Sequence, residues 1–257
     1  MNFFRKDIDM IVFISPAKGF NETDVKPASL PVLIDKSKII MDELKKFSEE
    51  DIKKSMKVND KIAALNKERF SDFKFDKNGI PAICTYSGIQ YKNIDAQSFT
   101  EEDIEFAEKH LRILSGLYGV LKPMDSIYPY RLDLLTKISV EGTKNLYEFW
   151  KDDIYRELSQ NEDEIIVNLA SDEYSKSVKK YADKEKYISC TFKVDKGGKL
   201  KVESTASKTA RGKMVNYIIK NRINEPELLK EFKEDGYVFR EDLSSEYEYV
   251  FVVKKQV

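Results

Sequence analysis

The residues able to do chemistry in this chain fall into a few short segments. Ser171-Asp172-Glu173-Tyr174 sets two adjacent carboxylates beside a phenol, with Lys176, Lys179 and Lys180 just downstream. Such carboxylates can serve as general acid and base, so Asp172, Glu173 and Tyr174 are the candidate catalytic residues. The same four residues also suit a helix start, with Ser171 or Asp172 as cap and Glu173 in the first turn. Ser15-Pro16-Ala17-Lys18-Gly19 fixes a turn with its proline and offers Lys18 as a point charge beside free amides. Residues 196–213 hold Lys196, Lys199, Lys201, Lys208, Arg211 and Lys213 against Glu203 alone. Arg211 is the most informative of them, because arginines are few here and the guanidinium fork matches phosphate or carboxylate. Arg112 and Arg131 are further candidates. The second lies in Pro129-Tyr130-Arg131-Leu132, where flanking aromatics leave it free to stack or pair with an anion.

Two turn-like segments extend this set. Gly116-Leu117-Tyr118-Gly119 can let a nucleic-acid backbone approach closely, or can simply end a helix in a tight turn. Lys57-Val58-Asn59 separates two helical pieces within 48–70, and Asn59 is a good N-cap for the second. With Lys53, Lys54, Lys57 and Lys61 near that corner, its amides could lie against a DNA phosphate, as in a helix-hairpin-helix. The corner lacks the glycines such hairpins use, and a plain helical corner is the competing reading.

Composition limits what these residues can be asked to do. The chain has 257 residues, with 44 Lys+Arg against 45 Asp+Glu. A near-neutral protein does not hold nucleic acid or membrane by bulk charge, so any anion site must be local. His110 is the only histidine, and Cys84 and Cys190 are the only cysteines. That excludes His-cluster metal sites and a disulfide framework, and leaves catalysis to Lys, Arg, Asp, Glu, Tyr or Ser. His110 adjoins an apolar stripe and is expected to be a satisfied, partly buried side chain. No metal and no cofactor are called for. No apolar run reaches the length of a membrane span, and no secretory signal is visible, so a cytoplasmic protein is expected.

The elements that must position these residues are short apolar runs alternating with amphipathic stretches. Residues 10–14, 82–86, 165–169 and 187–194 read as strands. Residues 237–240 and 247–253 read as a hairpin around an acidic turn. Helices are predicted over 35–47, 145–159 and 209–221, and from two capping boxes, Ser48-Glu49-Glu50-Asp51 and Thr100-Glu101-Glu102-Asp103. The second helix carries Ile104, Ala107, Leu111 and Leu114 on its inner face. A helix starting near Thr209 would place Lys208 and Arg211 at its N-terminus, where amides attract phosphate. Residues 1–9 read as a frayed extension or an early start. The whole is expected to be α+β (mixed α/β), one compact domain over 10–257, and a monomer.

Six segments in order carry a family resemblance. They are Ile14-Ser15-Pro16-Ala17-Lys18, the run from His110 to Pro123, and Pro129-Tyr130-Arg131-Leu132. After them come Asn168-Leu169-Ala170-Ser171-Asp172-Glu173-Tyr174, Ala210-Arg211-Gly212 and Gly236-Tyr237-Val238-Phe239. Together the chain resembles the YaaA family of peroxide-stress response proteins, with Ser175 standing where the family pattern carries an aromatic. The resemblance implies a cytosolic bacterial protein that limits oxidative damage by keeping free iron low. It also implies one domain of unusual topology with a central mixed sheet, a positively charged cleft, a helix-hairpin-helix-like element and an ability to bind double-stranded DNA. No enzymatic reaction comes with it. The expected DNA- or phosphate-binding set is Lys18, Arg112, Arg131, Lys176, Lys208, Arg211, Lys213, Lys57, Asn59 and Lys61. Four to six phosphate contacts would give a log–log salt slope of roughly −4 to −5. The alternative is an enzyme on a nucleotide, nucleobase or nucleic acid, with Asp172 or Glu173 as acid/base and Lys18 and Arg211 holding phosphate.

Overall fold

A computed structural model describes residues 10–161 and 164–254; the proposed extension over 1–9 lies outside them. Apolar, largely β-branched runs form the core of an eight-stranded sheet. Its strands are β1 (Met10–Ile14), β2 (Leu111–Ser115), β3 (Gly119–Leu121), β4 (Ile165–Leu169), β5 (Tyr187–Lys196), β6 (Lys199–Lys201), β7 (Val238–Phe239) and β8 (Glu248–Lys254). The order is β7-β8-β5-β4-β1-β2-β3, with β6 paired to β5. β8, β5, β4, β1 and β2 run parallel, while β3, β6 and β7 are antiparallel to their neighbours. β1 is buried along its whole length, as a strand covered on both faces must be. The chain leaves β1 for β2 on one side, then returns to β4 on the other. The carboxyl ends of β1 and β4 therefore flank a switch point, where open parallel sheets place their ligand crevices.

The helices are α1 (Ile34–Lys46), α2 (Glu49–Met56), α3 (Asp60–Ser71), α4 (Ile89–Ile94), α5 (Glu101–His110), α6 (Leu146–Trp150), α7 (Asp153–Leu158), α8 (Asp172–Lys179) and α9 (Ser204–Lys220). Both capping boxes form: Ser48 with Asp51, and Thr100 with Asp103. Asn59 Oδ1 accepts from Ile62 N at 3.0 Å and caps α3. Gly212 is where α9 crosses α4, since a Cβ there would lie 2.2 Å from Gln90 O. Asp103 ties α5 to the end of α9 through Lys220 at 2.8 Å and through Arg222.

Several sequence expectations need correction. Residues 82–86 are not a strand; Ala82–Thr85 is one helical turn, and Tyr86–Ser87 forms a two-residue ribbon with Gly19–Phe20. The α5 helix stops at His110, and Leu111 and Leu114 belong to β2. Leu, Ile and Leu at 111, 113 and 114 fit either period over so short a run, and pairing with β1 decides it. The helix expected over 145–159 breaks at Lys151, whose φ of 47° ends α6. The hairpin forms between 238–239 and 251–252, but β8 pairs chiefly in parallel with β5.

Candidate functional site

At the switch point the two strand ends are joined by their serines. Ser15 Oγ accepts from Ser171 N at 2.9 Å and donates to Ser171 Oγ at 3.2 Å. Tyr91 Oη donates to Ser15 O at 3.0 Å from the ribbon side. Beneath lies a buried hydroxyl chain, Ser115–Tyr130–Tyr86, with contacts of 2.6 and 2.7 Å. Ser115 Oγ also accepts the amides of Leu117 and Tyr118, so the Gly116–Gly119 segment is a buried turn between β2 and β3. It holds backbone rather than offering it to a ligand: a Cβ on Gly116 would sit 2.5 Å from Leu132 O.

Three elements bring charge to this floor. The turn after β1 supplies Lys18, whose Nζ lies 3.0 Å from Asp133 Oδ2. The segment after the tyrosine chain supplies Arg131, with Nε 3.8 Å from the same carboxylate oxygen. The start of α8 supplies Glu173 and Tyr174. Glu173 Oε1 accepts from Leu135 N at 3.2 Å, and Tyr147 Oη donates to Glu173 O at 2.8 Å. Burial pushes the Glu173 carboxyl up, and the Asp133 charge adds to the shift while Lys18 opposes it. Tyr174 is 4% exposed and held well above the ordinary phenol range, by burial first and then by Asp133.

Arg211 enters from α9. The helix begins at Ser204, so Arg211 lies two turns in and not at the N-terminus as expected. Burial lowers its guanidinium pKa, and the Asp172 carboxylate nearby opposes the shift. Arg131 Nε, Arg211 Nε and Tyr174 Oη are buried without a hydrogen-bond partner among the described residues, as are Asn66 Oδ1, Gln90 Nε2, Tyr187 Oη and Tyr237 Oη elsewhere. Buried polar groups are normally satisfied, and leaving one unpaired costs about 1–3 kcal/mol.

The other candidates are placed elsewhere. Arg112 is buried and donates to Glu108 O and Leu111 O, both at 2.8 Å, near the Glu108, Glu164 and Asp125 carboxylates. Lys213 pairs with Asp235, and Lys208 is exposed on α9. Lys57 and Lys61 are exposed beside Asn59 at the α2–α3 corner, and Lys53 there is held by Asp60 at 2.6 Å. Lys176 lies one turn along α8 from Asp172 and lines a separate hollow with Lys151 and Lys180. His110 Nδ1 is 2.9 Å from Met10 O and its ring packs on Phe106, a satisfied structural histidine. Among the described residues no three His, Cys, Asp or Glu side chains are grouped to hold a metal ion. The residue that sequence reasoning missed is Asp133. Its signal was there, two positions after Arg131, but an acid among cations reads as their neutraliser.

Comparison with known proteins follows the same segments. The profile described as peroxide stress protein YaaA matches residues 10–243. The chain belongs to the peroxide stress protein YaaA family. Among its YaaA-family relatives is a UPF0246 protein of Clostridioides difficile (strain 630), 54% identical over 95% of this chain and 99% of that protein. UPF0246 proteins of Ligilactobacillus salivarius (strain UCC118) and Teredinibacter turnerae (strain ATCC 39867 / T7901) are 44% and 40% identical. These cover 95% and 96% of this chain and 99% and 100% of their own lengths. No described helix is long and apolar enough to cross a membrane.

Proposed function

We propose that this YaaA-family chain binds a phosphate-bearing ligand of the nucleic-acid class, a DNA strand or a nucleotide, in the crevice between the ends of β1 and β4. The observation that carries the reading is the set of buried donors lacking acceptors, Arg131 Nε, Arg211 Nε and Tyr174 Oη. Two guanidinium groups and a phenol suit an oxyanion with several acceptor oxygens. Lys18 adds a further charge, shared with Asp133 at 3.0 Å. Glu173, whose carboxyl burial pushes up, is the group in the crevice placed to exchange a proton with the ligand, so the crevice can act on the ligand as well as hold it. In a peroxide-stress family such a ligand makes damaged or exposed DNA the natural target. Restraint of free iron would then be a consequence of that binding, exerted in the cytoplasm.

The test is anisotropy of a short 5′-phosphorylated DNA strand with the full chain. Arg211→Ala and Arg131→Ala should each weaken binding about tenfold or more, the worth of a charge-assisted contact. Lys213→Ala, already paired with Asp235, should change it less than about twofold. Equal affinity in all three variants would remove the crevice from the account.

A second reading has its own observation. The α2–α3 corner puts Lys57 at φ 52° beside the Asn59 cap, with Lys57 and Lys61 exposed. This corner could meet the backbone of duplex DNA. Lys57→Ala with Lys61→Ala should then weaken duplex binding while leaving the single strand alone.

A further inference from the structure

A hollow of about 660 Å³ lies between the α6–α7 break and the outer side of α8. Lys151, Lys176 and Lys180 line it together with Tyr147 and Tyr181. No salt bridge is recorded for any of the three lysines among the described residues. Two acids also border the hollow. Glu148 accepts the backbone N–H of Lys144 at 2.9 Å, and Glu141 is exposed on the rim. Lys176 and Lys180 sit four residues apart on one helical face, a like-charge spacing that works against the helix.

The backbone adds an independent sign. Lys151 has φ 47° and ψ −122°, a conformation that favours glycine and strains any side chain. Strain of this kind clusters where a side chain has a function. A glycine would end α6 more easily; a lysine there places a cation over the hollow. Lys180 Nζ stands 5.1 Å from the centre of the Tyr181 ring, so charge and an aromatic face are presented together.

We propose that this hollow is a second ligand site, for a nucleoside polyphosphate, with the lysines on the phosphates and Tyr181 against the base. Lysines that form no salt bridge among the described residues, beside an aromatic ring, are the combination such a ligand requires, since stacking accepts any base and the lysines take the phosphate charge. The site is distinct from the crevice and does not rest on the reading given above. The two share α8, and Tyr147 both lines the hollow and bonds Glu173 O.

The experiment is calorimetric titration of the full chain with ADP, with inorganic pyrophosphate as a second probe. Saturable ADP binding with a Kd below about 1 mM is expected. Lys151→Ala and Lys176→Ala should each weaken it about fivefold or more, with melting temperatures confirming that both variants fold. Tyr181→Ala should weaken ADP and leave pyrophosphate unchanged. Arg131→Ala removes whatever ADP the crevice takes and should leave the Lys151- and Lys176-dependent binding intact. The proposal is overturned by no saturable ADP binding, by lysine variants that bind like wild type, by a Tyr181→Ala variant that holds ADP unchanged, or by loss of the Lys151- and Lys176-dependent binding on Arg131→Ala.

Discussion

Tyr174 offers the sharpest separation of function from stability. Its hydroxyl is buried without a partner, so the folded state gains nothing from it. Tyr174→Phe should leave the melting temperature unchanged or slightly raised, because removing an unsatisfied buried group is neutral or stabilising. The same change should weaken the phosphate-bearing ligand about fivefold to twentyfold, since the ligand supplies the missing acceptor. A fall in melting temperature with unchanged affinity would make Tyr174 a core residue and nothing more. Asp133 is the counterpart, a carboxylate standing against Lys18 and Arg131 where a ligand oxygen would go. Asp172, Glu173 and Tyr174 stood out in the sequence by their types and adjacency alone. Asp133 was not, because its meaning depends on a turn that folds it back over Lys18.

At the scale of elements, the carboxylate at Asp103 joins two helices. Lys220 and Arg222 bind it, and its side chain is only 5% exposed. Burial raises its pKa, but the bonds to Lys220, Thr100 and Arg222 outweigh that and hold it well below the usual carboxylate range. A depressed carboxyl contributes stability that is present above its unfolded pKa of about 4 and lost as pH falls toward the folded value. Asp103→Asn should therefore cost about 2 kcal/mol at pH 7, discounted because Lys220 and Arg222 are partly exposed to solvent. That difference from wild type should shrink below about pH 4. Urea denaturation at pH 7 and pH 3 measures both, and a cost that stays constant would contradict the assignment. Gly212→Ala should be worse, about 2–3 kcal/mol, since the new Cβ meets the Gln90 carbonyl and α9 must move off α4. Capping boxes, β1, β4 and β5 were legible because their signals are local. The end of α5 was not. Leu111–Ser115 becomes a strand through its pairing with β1, Val12 against Leu111, far away in the chain and invisible to a local period. Arg211 was misplaced for a related reason: α9 starts five residues earlier than its apolar pattern shows.

The whole molecule carries almost no net charge, and several of its candidate cations, Lys18, Lys53 and Lys213 among them, are met by neighbouring acids. That distribution argues for a small site with few phosphate contacts over a broad basic surface. The parallel order around β1 explains where that site falls, since only the switch point leaves two strand ends diverging. The family was legible from six ordered segments, and the sheet order was not, because sequence order does not reveal which strands become neighbours. Salt dependence distinguishes the two pictures. Binding of a short 5′-phosphorylated single strand should be measured between about 50 and 200 mM salt for wild type and the Arg131→Ala, Arg211→Ala double variant. Two or three contacts predict a log–log slope of roughly −1.5 to −2 for wild type, and binding should be all but abolished in the variant. A slope of about −4 or steeper, with the double variant binding as wild type does, would contradict the crevice and return the function to an extended basic face.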